Sequence, residues 1–167
     1  YGVRSLPRSA GVICSLGVIT AAVVMSYYRL IFEGLVLSGY DIQTYFFPIR
    51  EYASKALLSG QLPLWNPHLF MGAPFLANPQ SAVMYPLNLA LLPLNAATAL
   101  SLSVVLQVWI AAVGALVFAR KVLRLGWASG TVAALALSFG GVMSGQSGHP
   151  NQIAVIAWVP FALWLVW

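Results

Sequence analysis

The chain has 167 residues, 60% of them hydrophobic and only 7% charged, with a mean hydropathy of +0.86. Those values exclude an ordinary soluble domain and define an integral membrane protein. The formal net charge of +5 does not indicate a nucleic-acid partner, because five of the eight basic residues form two clusters beside apolar runs, Arg4/Arg8 and Arg120/Lys121/Arg124, which is the positive-inside pattern of membrane topology.

Residues 10–28 are the first predicted span, with Tyr27 and Tyr28 where an interfacial aromatic belt belongs. A signal peptide is the competing reading, but nineteen residues exceed a usual apolar region of that kind and no small-x-small cleavage site follows. Cys14, the lone cysteine, excludes disulfide scaffolds and cysteine-based metal sites and reads as a small packing residue. Residues 29–95 then form a long loop that holds all three acids and most of the prolines. Inside it, residues 48–59 have the marks of an amphipathic helix: a proline at the start, Gly60 just past the end, and Glu51 four residues before Lys55. Its apolar stripe is Ile49, Tyr52, Ala53, Ala56 and Leu57, suited to the membrane surface or to other spans, with Arg50, Glu51 and Lys55 toward water and headgroups.

Prolines at 63, 67, 74 and 79 exclude a helix or central strand, so ordered extended coil is expected there. Residues 81–94 are apolar but interrupted by Pro86 and Pro93, which predicts a re-entrant or interfacial segment. Residues 96–119 make the second span and 128–144 the third, with Gly130, Gly140, Gly141 and Gly145 suited to close helix packing. Residues 153–167 begin a fourth, incomplete span, and the chain therefore reads as a fragment of a longer protein. By charge placement, the N-terminus and residues 120–124 are cytoplasmic, whereas loops 29–95 and 145–152 are extracytoplasmic. Asp41 and His149 thus share one compartment.

Few residues can carry chemistry. Asp41 is the first choice for a base or metal ligand, since a carboxylate near a bilayer is costly unless used or paired; a helix N-cap is its alternative role. Glu33 with Arg29, and Glu51 with Lys55, read as solvated ion pairs. His149, in a glycine-rich turn, suits phosphate binding, metal binding or proton transfer, or is a plain turn histidine. Asp41, His68 and His149 together would make a metal site, although no short-range ligand spacing supports it. Arg50 and Lys55 suit either a lipid phosphate or headgroup snorkelling. Trp65, Phe70, Phe75 and Tyr85 suit either a sugar-stacking wall or interfacial anchoring.

The series Gly39-Tyr40-Asp41, Tyr45, Pro48, Gly60-Gln61-Leu62-Pro63-Leu64-Trp65-Asn66-Pro67, Gly72-Ala73-Pro74, Gln80 and Tyr85-Pro86-Leu87 resembles the start of the bacterial YfhO-like membrane proteins. Gly148-His149 and Trp158-Val159-Pro160 extend the likeness. These proteins resemble the GT-C superfamily of polytopic glycosyltransferases, which implies an all-α integral membrane bundle and a polyprenyl-phosphate sugar donor. It also implies transfer to a cell-envelope glycan or glycopolymer acceptor at the plasma membrane. Asp41 would then be the catalytic base, with Arg50, Lys55, Trp65, Asn66, Gln80, Tyr85 and His149 toward substrate; dependence on a divalent metal stays open. A transporter or flippase using Asp41 as a proton or cation site is the alternative from another class, and a non-catalytic assembly subunit is a third.

Overall fold

The computed structural model describes residues 8–167. In chain order it contains α1 (Arg8–Ser26), α2 (Tyr28–Phe32), a π turn (Ile42–Phe46), α3 (Phe47–Leu58), β1 (Trp65–Asn66), β2 (Ala73–Pro74) and a 3₁₀ turn (Pro79–Ser81). There follow α4 (Pro86–Ala90), α5 (Ala96–Lys121), α6 (Trp127–Phe139), α7 (Gly141–Gly145) and α8 (Pro150–Leu165). Among the described residues, three stretches are long and apolar enough to cross a bilayer: Ser9–Ser26, Ala96–Lys121 and Trp127–Gly145. This is the make-up of an all-α membrane protein, as composition requires. α8 has 16 residues, against the roughly 20 that a span needs. The chain divides into two compact units, one of Tyr1–Tyr28, Val104–Ser147 and Gln152–Trp167, the other of Arg29–Ser103 with Gly148–Asn151.

The first, helical unit is closed by small side chains. Ile19, Ala112, Ala115, Leu116 and Ala134 form its buried centre, with Leu16, Trp109 and Leu135 against it. In an apolar solvent such packing, rather than a hydrophobic driving force, holds helices together. Gly11 lies under the Trp127 indole and Gly114 under the Phe161 ring, where an added Cβ would stand 2.6 Å from ring carbon. Thr131 donates to the Ser15 hydroxyl (2.9 Å) and Trp109 Nε1 to the Thr20 hydroxyl (3.0 Å). Arg120 donates to the Leu125 carbonyl and its guanidinium lies 4.1 Å over the Trp127 ring. The side chains of the other basic cluster, Arg4/Arg8, lie outside the described residues.

Two expectations need correction here. Of the glycines assigned to close packing, Gly130 meets Leu116, but Gly141 and Gly145 face open space. Gly140 breaks the third span instead: its backbone is extended (φ −68°, ψ 163°), and a Cβ would stand 2.5 Å from the Ala136 carbonyl oxygen. The Ser144 hydroxyl, within reach of the Phe139 (3.2 Å) and Gly140 (3.1 Å) carbonyls, covers backbone polarity freed by the break. Cys14 is exposed rather than packed.

The second, loop unit is folded around α3. The predicted helix over 48–59 is present as Phe47–Leu58, but the helical run starts earlier, and the Phe47 N–H reaches back five residues to the Ile42 carbonyl. Pro48 explains the irregularity, because in regular α geometry its ring clashes with the carbonyl four residues earlier, at Thr44. The apolar stripe packs against other residues of the loop. Ile49 and Ala53 are buried against Phe75 and Val83, with Tyr52 and Leu57 alongside. A second cluster joins Ile42 and Phe46 to Leu100 near the start of α5.

The expected coil over 60–80 contains a small antiparallel ladder, Trp65 opposite Pro74 and Asn66 opposite Ala73. Its tip requires left-handed backbone at Phe70, Met71 and Gly72. Gly72, at φ +116°, also lies under the Trp65 ring, where a Cβ would stand 2.8 Å away, so both its conformation and its lack of a side chain are used. Residues 81–94 hold only the single helical turn α4 and flanking turns, pinned by Asn88 Nδ2 donating to the Ala82 carbonyl at 2.8 Å.

Candidate functional site

Asp41 lies inside the helical run with α backbone angles (φ −67°, ψ −32°), and its side chain caps nothing. The N-cap alternative is therefore overturned. Its carboxylate turns instead to the sequence-distant Gly148–Asn151 turn, where His149 Nε2 stands 3.2 Å from Asp41 Oδ2. Both side chains are about half exposed (49% for Asp41, 43% for His149). No hydrogen bond to Asp41 Oδ1 is found among the described residues. The other ring nitrogen of His149, Nδ1, is buried and without a hydrogen-bond partner among the described residues. One further contact seats the turn: Asn151 Nδ2 donates to the Gln80 carbonyl at 3.4 Å.

The other candidates divide sharply. Arg50, expected toward water, is half-buried, and burial pushes its guanidinium down to about 10; it pairs with no carboxylate among the described residues. Lys55 is engaged by Glu51 at 2.8 Å, and Arg29 by Glu33 at 3.1 Å, both four residues apart as expected. Phe75 is fully buried and cannot belong to a sugar-stacking wall: it is the centre of the loop core. Trp65 and Phe70 remain exposed, and Tyr85 is half-buried. Gln80 has an exposed side chain and serves through its backbone, its N–H donating to Asn78 Oδ1 at 2.9 Å.

His68 is not brought to Asp41 and His149. It packs edge-on to Tyr52, ring centroids 6.0 Å apart, and shares a cavity of about 280 Å³ with Glu51, Tyr52, Lys55, Asn66 and Leu69. No group of three or more His, Cys, Asp or Glu side chains able to hold a metal occurs among the described residues. The pair Asp41 and His149 supplies two donors, short of the three protein ligands usual at a catalytic zinc. The joining of residues 41 and 149, and the cavity around Glu51 and His68, carry no local sequence signal. Comparisons with protein-family models, curated proteins and solved structures find no match to this chain.

Proposed function

We propose that this protein is a GT-C-like membrane glycosyltransferase of the YfhO-like kind, acting on an extracytoplasmic acceptor with a polyprenyl-phosphate sugar as donor. The observation that carries the reading is the Asp41–His149 pair, a half-exposed carboxylate with one oxygen held, in a loop flanked by stretches apolar enough to span a bilayer. The quoted resemblance supports it by implying an acid in this first loop.

In this reading Oδ1 of Asp41 accepts the proton of the acceptor hydroxyl as that oxygen attacks the anomeric carbon. The new carbon–oxygen bond forms as the bond to the phosphate oxygen breaks, with inversion, and the electron pair leaves on the phosphate. His149 orients Asp41 through Nε2. Arg50, without a carboxylate partner and partly desolvated, is the group suited to the leaving phosphate, because a guanidinium matches phosphate oxygens geometrically.

The test is transfer from radiolabelled polyprenyl-phosphate sugars by the protein in membranes. Asp41→Asn is expected to lower transfer by about 10²–10⁴-fold, the usual contribution of a positioned base, with protein level and donor binding kept. Equal transfer by both forms would remove Asp41 from the chemistry. The second reading, a proton-coupled transporter, is favoured by the break at Gly140 and by Pro160 inside α8; it predicts solute uptake that loses pH-gradient coupling in the same variant.

A further inference from the structure

The charges of this chain are divided unevenly between its two units. All three acids, Glu33, Asp41 and Glu51, lie in the loop unit, where Arg29, Arg50 and Lys55 match them in number. The helical unit holds the other five basic residues and no acidic side chain, so the whole formal charge of +5 belongs to it. Topology alone accounts for cations at a membrane face. It does not account for the way Arg120, Lys121 and Arg124 are held.

Helix length places these residues. α5 has 26 residues and is about 39 Å long at 1.5 Å per residue, against a hydrocarbon core of about 30 Å, so its charged last turn reaches the headgroup layer. The next apolar stretch begins at Trp127, and residues 122–126 therefore turn within that layer. Arg120 is not a free arm there. Its Nη1 donates to the Leu125 carbonyl and its guanidinium lies 4.1 Å over the Trp127 ring, while its stem passes Gly130, where an added Cβ would stand 3.5 Å from Cδ. The Trp127 indole is seated in turn on Gly11 of α1, so three helices fix this one cation. Arg120 Nε is buried without a hydrogen-bond partner among the described residues, although the residue as a whole is only half-buried. A partly desolvated cation with no acidic side chain in its unit is costly, and an anion at its accessible edge offsets that cost.

The turn adds further positive charge. Leu123 N–H donates to the Phe118 carbonyl at 3.3 Å and Leu125 N–H to the Ala119 carbonyl at 3.0 Å, which closes α5 with Arg124 in the left-handed region (φ 55°). Glycine is the usual residue at such a helix end, and a long cationic side chain held there costs backbone energy that glycine would avoid. Lys121, Leu123 and Arg124 are all exposed. A ligand for this turn is therefore anionic, lies at headgroup depth and accepts an exposed leucine next to the charges. A phosphodiester matches a guanidinium geometrically, and the glycerol and acyl chains attached to it match Leu123 and the Trp127 ring. We propose that the turn between α5 and α6 binds an anionic phospholipid of the surrounding bilayer, its phosphodiester held by Arg120, Lys121 and Arg124. The site lies in the helical unit and does not depend on the role given to Asp41.

The test is native mass spectrometry of the protein released from nanodiscs made of equal parts phosphatidylglycerol and phosphatidylcholine with the same acyl chains. Wild type is expected to retain phosphatidylglycerol in preference to phosphatidylcholine. Lys121→Gln and Arg124→Gln should each lower that preference roughly fivefold, the worth of about one cation at a membrane surface. Arg120→Lys keeps the charge but loses the planar fork and the ring contact, and should lower it by a similar factor, with helix content by circular dichroism unchanged. Arg29→Gln, which removes one positive charge from the loop unit, should retain lipid as wild type does.

No wild-type preference, full preference in both Lys121→Gln and Arg124→Gln, or equal loss in Arg29→Gln would each overturn the proposal. Undiminished preference in Arg120→Lys would reduce the turn to a diffuse attraction between cations and a charged surface, and would overturn it too. Displacement by excess inorganic phosphate would assign a soluble anion, and stronger retention of a polyprenyl monophosphate would assign the sugar carrier; either result overturns the phospholipid. Failure of glycosyl transfer alone would leave this binding result standing.

Discussion

The helical unit and the loop unit solve the same problem, fixing a backbone, by opposite means. In the helical unit the backbone is satisfied within each helix, and what remains is to bring helices close. That is done by absence of side chain, at Gly11 beneath Trp127 and Gly114 beneath Phe161, with few polar links such as Thr131 to Ser15. In the loop unit, prolines at 63, 67, 74 and 79 forbid long regular elements, so backbone groups are satisfied one by one. Tyr52, Asn66, Asn78, Asn88 and Ser101 each hold a backbone group. Polar side chains concentrate where regular structure is missing, and the candidate chemistry lies among them.

That contrast can be broken most severely at Phe75, the fully buried centre of the loop core. Phe75→Ala should cost about 3–5 kcal/mol and expose the bonds around Arg50 and Lys55 to trypsin, while the helices of the other unit stay protected. A smaller effect is expected from crowding the helical unit: Gly114→Leu should cost about 1–3 kcal/mol by overpacking against Phe161, lowering the thermal midpoint in nanodiscs without new trypsin cleavage at Lys55. The polar link between Thr131 and Ser15 sharpens the comparison further. Thr131→Val should cost only about 0.6 kcal/mol, the mean for such bonds in a bilayer, whereas Asn88→Leu, which removes the Nδ2 bond to the Ala82 carbonyl and leaves that carbonyl only the Tyr85 N–H, should cost about 0.5–1.5 kcal/mol. Smallest of all, Glu33→Gln should leave either midpoint within about 0.5 kcal/mol, because its ion pair with Arg29 is exposed.

The two regions also differed in how much their residues disclosed. Hydropathy over 18 or more residues is a summed signal, so the helices at 8–26, 96–121 and 127–145 could be placed to within a few residues. The break at Gly140 was not legible, since the same glycine fits both a close contact and a helix end. In the loop, the Glu51–Lys55 and Arg29–Glu33 pairs followed from four-residue spacing. The burial of Phe75 did not, because an aromatic between prolines has no periodicity to tell inside from outside. Asp41 and His149 were assigned one compartment from charge placement, but their 3.2 Å approach depends on how the 148–151 turn seats, which no local pattern encodes. Asn66 could be named from its motif, whereas its grip on the His68 backbone N–H comes from the fold.

The π turn at Ile42–Phe46 sets a phase. It carries one residue more than an α-helical path between the same ends, and each α-helical residue turns the chain by about 100°. Pro48→Ala alone would let the run relax to a regular helix with the extra residue still present, keeping the register of α3 while rotating everything before it by that angle, whereas deleting Thr44 as well would leave both ends where they are. In the first case Asp41 would swing away from His149, and Glu51 and Lys55 would stay at their cavity. The bearing of the candidate base relative to the cavity that Glu51 and Lys55 line is therefore set by the bulge before Pro48, so that losing one proline from this stretch would misalign the two without changing the identity of any polar group in either.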